Sequence, residues 1–186
     1  MKEFVYLYPI SEYIDVFVNP ADGLRRRQYK ESLNSAVDLR YRQQGFGINY
    51  VIFDGHSLSD VIEIQPSDKI IEAGIDFKTH TAKQPNGEYP YPNPEIVLDQ
   101  LPRLRTIRIG GFHLWDCVEK TARAAYERGL DVLVDEELTE VLASLMSLPD
   151  FAVDHFPSYN PRKDEDFWFD LFMNARKNKP WLWQNY

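Results

Sequence analysis

The single cysteine, Cys117, follows an apolar run that closes in Gly110-Gly111 and precedes a stretch with helical spacing. A thiol at such a junction would stand at the amino terminus of a helix, whose partial positive charge favours thiolate over thiol. A thiolate there could attack a carbonyl carbon and form a thioester. Free cysteine is also among the most buried residue types, so a small buried hydrophobe is the other reading of the same residue. Asp54-Gly55-His56 closes a second apolar run. A carboxylate and an imidazole two residues apart offer oxygen and nitrogen donors to one divalent ion, such as zinc or manganese. His80 or His113 would be needed as a third ligand. Asp-Gly is equally a turn dipeptide, with His56 bonded locally.

The elements that must position these residues can be read from periodicity. Residues 4–8 form an apolar strand ended by Pro9, and a second short apolar segment covers 13–18. Tyr29, Leu33, Val37 and Tyr41 recur at intervals of four, which predicts an amphipathic helix over 24–44 closed by Gly45. Residues 48–53 read as a strand, with further short strands at 61–64 and 69–73. Four prolines between 85 and 94 interleave with Tyr89 and Tyr91 and predict an extended surface loop, a lid over any crevice beneath it. Asn93-Pro94-Glu95 then starts a helix that runs to Leu101. Ile107 and Ile109 alternate with Thr106 and Arg108 as in a strand. Val118, Ala122 and Ala125 mark the helix after Cys117, and Arg128-Gly129 ends it. A strand at 130–134 and a helix over 136–146 follow.

Alternating strands and helices give an α/β fold, a three-layer α/β/α sandwich with a mainly parallel sheet. In such sheets ligands bind at the carboxyl ends of the strands. Asp54, His56 and Cys117 all follow strands and are expected along one edge. The 186 residues are read as a single domain. Residues 1–145 form the α/β core, and 146–186 an aromatic extension that packs on the core or on a second subunit of a homo-oligomer. Asn160-Pro161 predicts a helix there, with Asp164, Glu165 and Asp166 in its first turn and Arg176 and Lys177 in its last. His155 has no recognisable partner in that extension.

The net charge of −8 argues against a broad nucleic-acid surface, because phosphate binding needs clustered cations. Arg25-Arg26-Arg27 with Arg40 and Arg42 is read as a solvated helix face. No apolar run has the length of a membrane span, and Met1-Lys2-Glu3-Phe4 lacks the build of a signal peptide. One cysteine makes no intrachain disulfide, so a reducing cytoplasm is the expected setting.

The segment Gly111-Phe112-His113-Leu114-Trp115-Asp116-Cys117-Val118-Glu119-Lys120-Thr121-Ala122 resembles the nucleophile segment of the isochorismatase-like cysteine hydrolases, which include the nicotinamidases. The likeness lies in a glycine, a few residues, Cys-Val, two residues and Thr-Ala, and it continues through Val134. The resemblance implies that Cys117 attacks the carbonyl of a small amide, with backbone N–H groups of His113 and Cys117 stabilising the oxyanion. Phe112, His113 and Trp115 would line the substrate. It also implies a cis peptide at Phe112-His113, and Asp54 and His56 as part of a metal element. An aspartate at the end of the first strand and a lysine from a later segment should assist the thiolate. Tyr8-Pro9 and Ala73 occupy the simplest equivalent places, which leaves Asp15 and Lys78 as the nearest substitutes. Asp116, Glu72 and Asp76 are alternative carboxylates.

Three functions therefore stand open from the residues. The first is hydrolysis of a small-molecule amide through a thioester at Cys117. The second is a degenerate member of the same fold that binds a ligand or a protein. The third is a metal-dependent hydrolase built on Asp54 and His56, with Cys117 structural.

Overall fold

The structure, a computed structural model, describes residues 1–149, 151 and 181. β1 (Lys2–Leu7) lies at the centre of a five-stranded sheet, between β2 (Gly47–Ile52) and β4 (Thr106–Gly111). β3 (Lys69–Glu72) and β5 (Asp131–Thr139) take the two outer positions, so the order is β3-β2-β1-β4-β5. Every pairing is parallel. Parallel strands need crossovers that cover both faces, which is why β1 is buried on both sides from Glu3 to Leu7.

The two faces read directly from the alternation of β1. Val5 and Leu7 pack with Ile107, Ile109, Val132 and Val134. α4 (Pro94–Asp99) covers that face through Val97 and Leu98, and α5 (Glu119–Glu127) through Ala122 and Ala125. Phe4 and Tyr6 point the other way, to Tyr29, Leu33 and Val37 of α2 (Gly23–Arg40) and to Leu142 of α6 (Leu142–Leu145). Fully burying each such side chain contributes about 1.5–3 kcal/mol. The α/β three-layer architecture with a parallel sheet is thus present.

Four local readings change. Residues 13–18 are helical: α1 spans Ser11–Phe17, and Ile14 and Val18 are buried at a spacing of four. No strand forms at 61–64, because Asn34 of α2 takes both backbone groups there. Its amide donates to Val61 O at 2.7 Å and its Oδ1 accepts from Glu63 N at 2.9 Å. A short helix, α3 (Phe77–Thr81), was not expected; the Asp76 carboxylate caps it by accepting from Thr79 N at 2.8 Å.

The expected helix from Glu136 gives way to a β5 that runs on to Thr139. Its carboxylates explain why. Arg40 Nη1 is 2.9 Å from both oxygens of buried Asp135, Arg40 also bonds Glu137, and the Tyr41 hydroxyl donates to Asp135. Charges that would belong outside a helix are instead matched inside. The helix expected at Asn160 and His155 lie outside the described residues. Among the described residues no helix is long and apolar enough to cross a membrane.

Candidate functional site

Five parallel strands deliver five chain exits to one edge: Tyr8, Phe53, Ala73, Phe112 and Glu140 each follow a strand end. The exits of β1 and β4 are tied closely. Leu7 is in register with Gly111, and Phe112 N donates to Leu7 O at 2.9 Å. Gly111 has φ +112, and a Cβ there would lie 2.2 Å from Leu7 O, so only glycine allows this approach. The following peptide, Phe112-His113, is cis, as the resemblance implies.

The chain then makes a single wide turn at Leu114–Val118 and enters α5. Asp116 N and Val118 N both donate to His113 O, at 3.1 and 3.2 Å. Glu140 holds the turn from β5: its carboxylate accepts from Leu114 N at 3.2 Å and pairs with His113 Nδ1 at 3.3 Å. Cys117 closes the turn, and its carbonyl accepts from Thr121 Oγ1 at 2.9 Å.

The helix terminus does not lower the thiol pKa. Cys117 is only 6% exposed, and burial pushes its pKa up from 9.0 to about 12. The Asp116 carboxylate raises it further and the Lys120 ammonium opposes it. Asp116 and Lys120 are themselves ion-paired one helical turn apart.

Phenols surround the thiol. Tyr8, 2% exposed, leaves β1 at φ +55 with its N–H donated to Val51 O at 2.8 Å. Its ring stacks on Phe53 with centroids 4.4 Å apart. Burial and the neighbouring Cys117 push its pKa far above the ordinary phenol value. Tyr13 of α1 is shifted the same way, by burial first and then by Cys117 and Asp116. Its ring meets Phe53, Phe77, Phe112 and His113, the last at 4.6 Å. Sequence reading noted Tyr13 only as the start of a short apolar segment, and Tyr8 only as an occupant of the aspartate's place.

The other expected groups are placed elsewhere. Asp15 lies on α1 and pairs with Arg26 at 2.6 Å, which also holds Asp60. Lys78 is exposed on α3, and Asp76 is that helix's cap. Trp115 is 41% exposed on the turn before Cys117. Ala73 is fully buried at the end of β3 and donates its N–H to Ile52 O.

The metal expectation meets three committed side chains. Asp54 Oδ1 accepts from Gly74 N at 2.8 Å, and Phe53 to His56 form a turn with Gly55 at φ +72. His56 Nε2 faces Glu12 at 3.3 Å. His80 Nδ1–H donates to Pro90 O at 2.8 Å while its ring stacks on Phe53. Among the described residues no group of three His, Cys, Asp or Glu side chains converges as metal ligands. Asp54-Gly55-His56 forms the turn that its Asp-Gly dipeptide also predicted.

No family model matches the chain, and no curated protein sequence matches it. Solved structures of similar form include the pyrazinamidase of Pyrococcus horikoshii in complex with zinc, at 12% identity and a TM-score of 0.47, over 77% of this chain and 92% of that one. N-carbamoylsarcosine amidase from Thermoplasma acidophilum matches at 14% identity and a TM-score of 0.46, over 92% of both chains. An isochorismatase family protein matches at 18% identity and a TM-score of 0.43, over 74% of this chain and 80% of that one.

Proposed function

We propose that this chain is an isochorismatase-like protein that binds a small molecule at the carboxyl edge of its sheet without hydrolysing it. Amide hydrolysis at a thiol needs two proton transfers. The S–H proton must leave before sulfur bonds to the carbonyl carbon, and the departing nitrogen must gain a proton as the C–N bond breaks. Losing a positioned acid or base costs about 10²–10⁴ in rate. The observation that carries this reading is Tyr8: a buried neutral phenol stands at the exit of β1, beside a thiol pushed up to about 12. Ala73 adds no charge at the exit of β3.

One observation favours the other reading, hydrolysis through a Cys117 thioester. Asp116 and Lys120 both act on the thiol, and Asp116 could serve as base. Pyrazinamide separates the two. Binding without chemistry predicts no ammonia release above that of Cys117→Ala, and a rise in Tm on adding pyrazinamide in both proteins. It also predicts that alkylation of Cys117 accelerates with pH beyond 9 without levelling off near neutrality. Ammonia release by the wild type that disappears in Cys117→Ala overturns the reading.

A further inference from the structure

The segment between α3 and α4 carries three prolines and is exposed from Ala82 to Tyr89, yet it is fastened at its far end. Two contacts fasten it. His80 Nδ1–H donates to Pro90 O at 2.8 Å, which fixes the segment to α3. Tyr91 then reaches across to the first turn of α5, where Lys120 Nζ lies 3.0 Å from its ring centroid. The Asp116 carboxylate, paired with that ammonium, is also the strongest influence on the Tyr91 hydroxyl, and Cys117 acts on it as well. Tyr91 thus meets Lys120, three residues after Cys117, and lies within electrostatic reach of Asp116, the residue before it. Tyr91 is itself 44% exposed, so little packing holds it down.

We propose that residues 82–93 form a strap whose Tyr91 latches onto Lys120 and closes the path from solvent to Cys117. The proline content stiffens the segment, and a stiff extended segment moves as a unit about its ends. The latch is weak by design of its parts. An exposed cation–π contact holds a group down only a few-fold more often than not, so opening is a frequent excursion and needs no unfolding. The inference concerns access to the edge and is independent of whether the molecule that enters is hydrolysed.

Because Cys117 is the single cysteine, iodoacetamide alkylation of the native protein reads access to it alone. Tyr91→Ala should raise the alkylation rate roughly two- to fivefold at constant pH, the release expected from one such contact. Lys120→Met should do the same by removing the ammonium, although it also removes a charge that favours thiolate. The two effects oppose each other, because losing the ammonium leaves less thiolate and slows alkylation, so a faster rate in Lys120→Met reports unlatching alone. Tyr91→Phe keeps the ring over the ammonium and should match the wild type, as should Tyr89→Ala, whose side chain lies on the same segment at 47% exposure. Unchanged Tm values show that each variant is folded. Equal rates in the wild type and Tyr91→Ala, or an equal increase in Tyr89→Ala, overturn the proposal.

Discussion

Among the described residues, two clusters of ionisable side chains resolve burial in opposite ways. Beneath α2, Arg40 lies between Asp135 and Glu137 with the Tyr41 hydroxyl on Asp135, so charge is kept and matched by opposite charge. At the carboxyl edge, buried Cys117 and Tyr8 and half-buried Tyr13 are each driven towards the neutral form. Charges confined in low dielectric survive only when paired and hydrogen-bonded. The first cluster therefore reads as architecture, and in the second the thiol and both phenols are held in their neutral forms. An active thiol site would be expected to hold at least one group shifted the other way.

Alkali should break this contrast with the largest effect. Folding holds Tyr6, Tyr8, Tyr13, Tyr29 and Tyr41 neutral, all with pKa values raised by burial. The unfolded chain releases phenolic protons near pH 10 while the folded chain retains them, so it binds fewer protons and stability falls as pH rises. The loss is about 1.4 kcal/mol per pH unit for each fully buried phenol, once pH exceeds about 10. Cys117 adds to this between pH 9, its ordinary value, and about 12. Urea midpoints from pH 8 to 11 should drop steeply, and the gap between wild type and Cys117→Ala should narrow over the same range. A flat profile would mean that the edge is wetter than described.

Next in size is the paired cluster. Arg40→Met removes the guanidinium between two buried carboxylates and should cost about 3–5 kcal/mol, measured by urea unfolding. Cys117→Ala, by contrast, removes one small neutral group and should cost no more than about 2 kcal/mol. If the two variants lose equal stability, the distinction between matched charge and enforced neutrality fails.

Much of this was legible in the chain. The alternation at Ile107 and Ile109, the four-residue spacing from Tyr29 to Tyr41, and the Asn93-Pro94 helix start all produced the elements expected of them. These signals are local, and local sterics determine them. Asp135-Glu136-Glu137 misled because acidic residues ordinarily mark a solvated helix, and their partner Arg40 lies far away in sequence. Residues 61–64 misled for the same reason, since Asn34 of another element claims their backbone. At the edge, the turn and the glycine approach before Cys117 follow from a contiguous motif. The departures at Tyr8 and Ala73 could be noticed in the sequence, but the phenols that meet the thiol come from the exit of β1, from α1 and from the segment before α4. No spacing rule connects those.

The smallest effect concerns the most recognisable residues. Thr121 falls in the Cys-Val-x-x-Thr-Ala pattern, where its presence could be taken as a mark of chemistry. Here its hydroxyl donates to the Cys117 carbonyl at 2.9 Å, a bond from a side chain to the backbone four residues earlier. That bond closes the wide turn onto the first turn of α5, and Thr121 is only 4% exposed. Thr121→Val keeps the shape and loses the bond, leaving a buried carbonyl with less satisfaction, at a cost of about 1 kcal/mol. If the motif serves the backbone, urea unfolding will show that loss while the pH profile of Cys117 alkylation is unmoved. A shift of that profile would tie Thr121 to the sulfur itself, and the edge would then hold a tuned thiol that the present contrast denies.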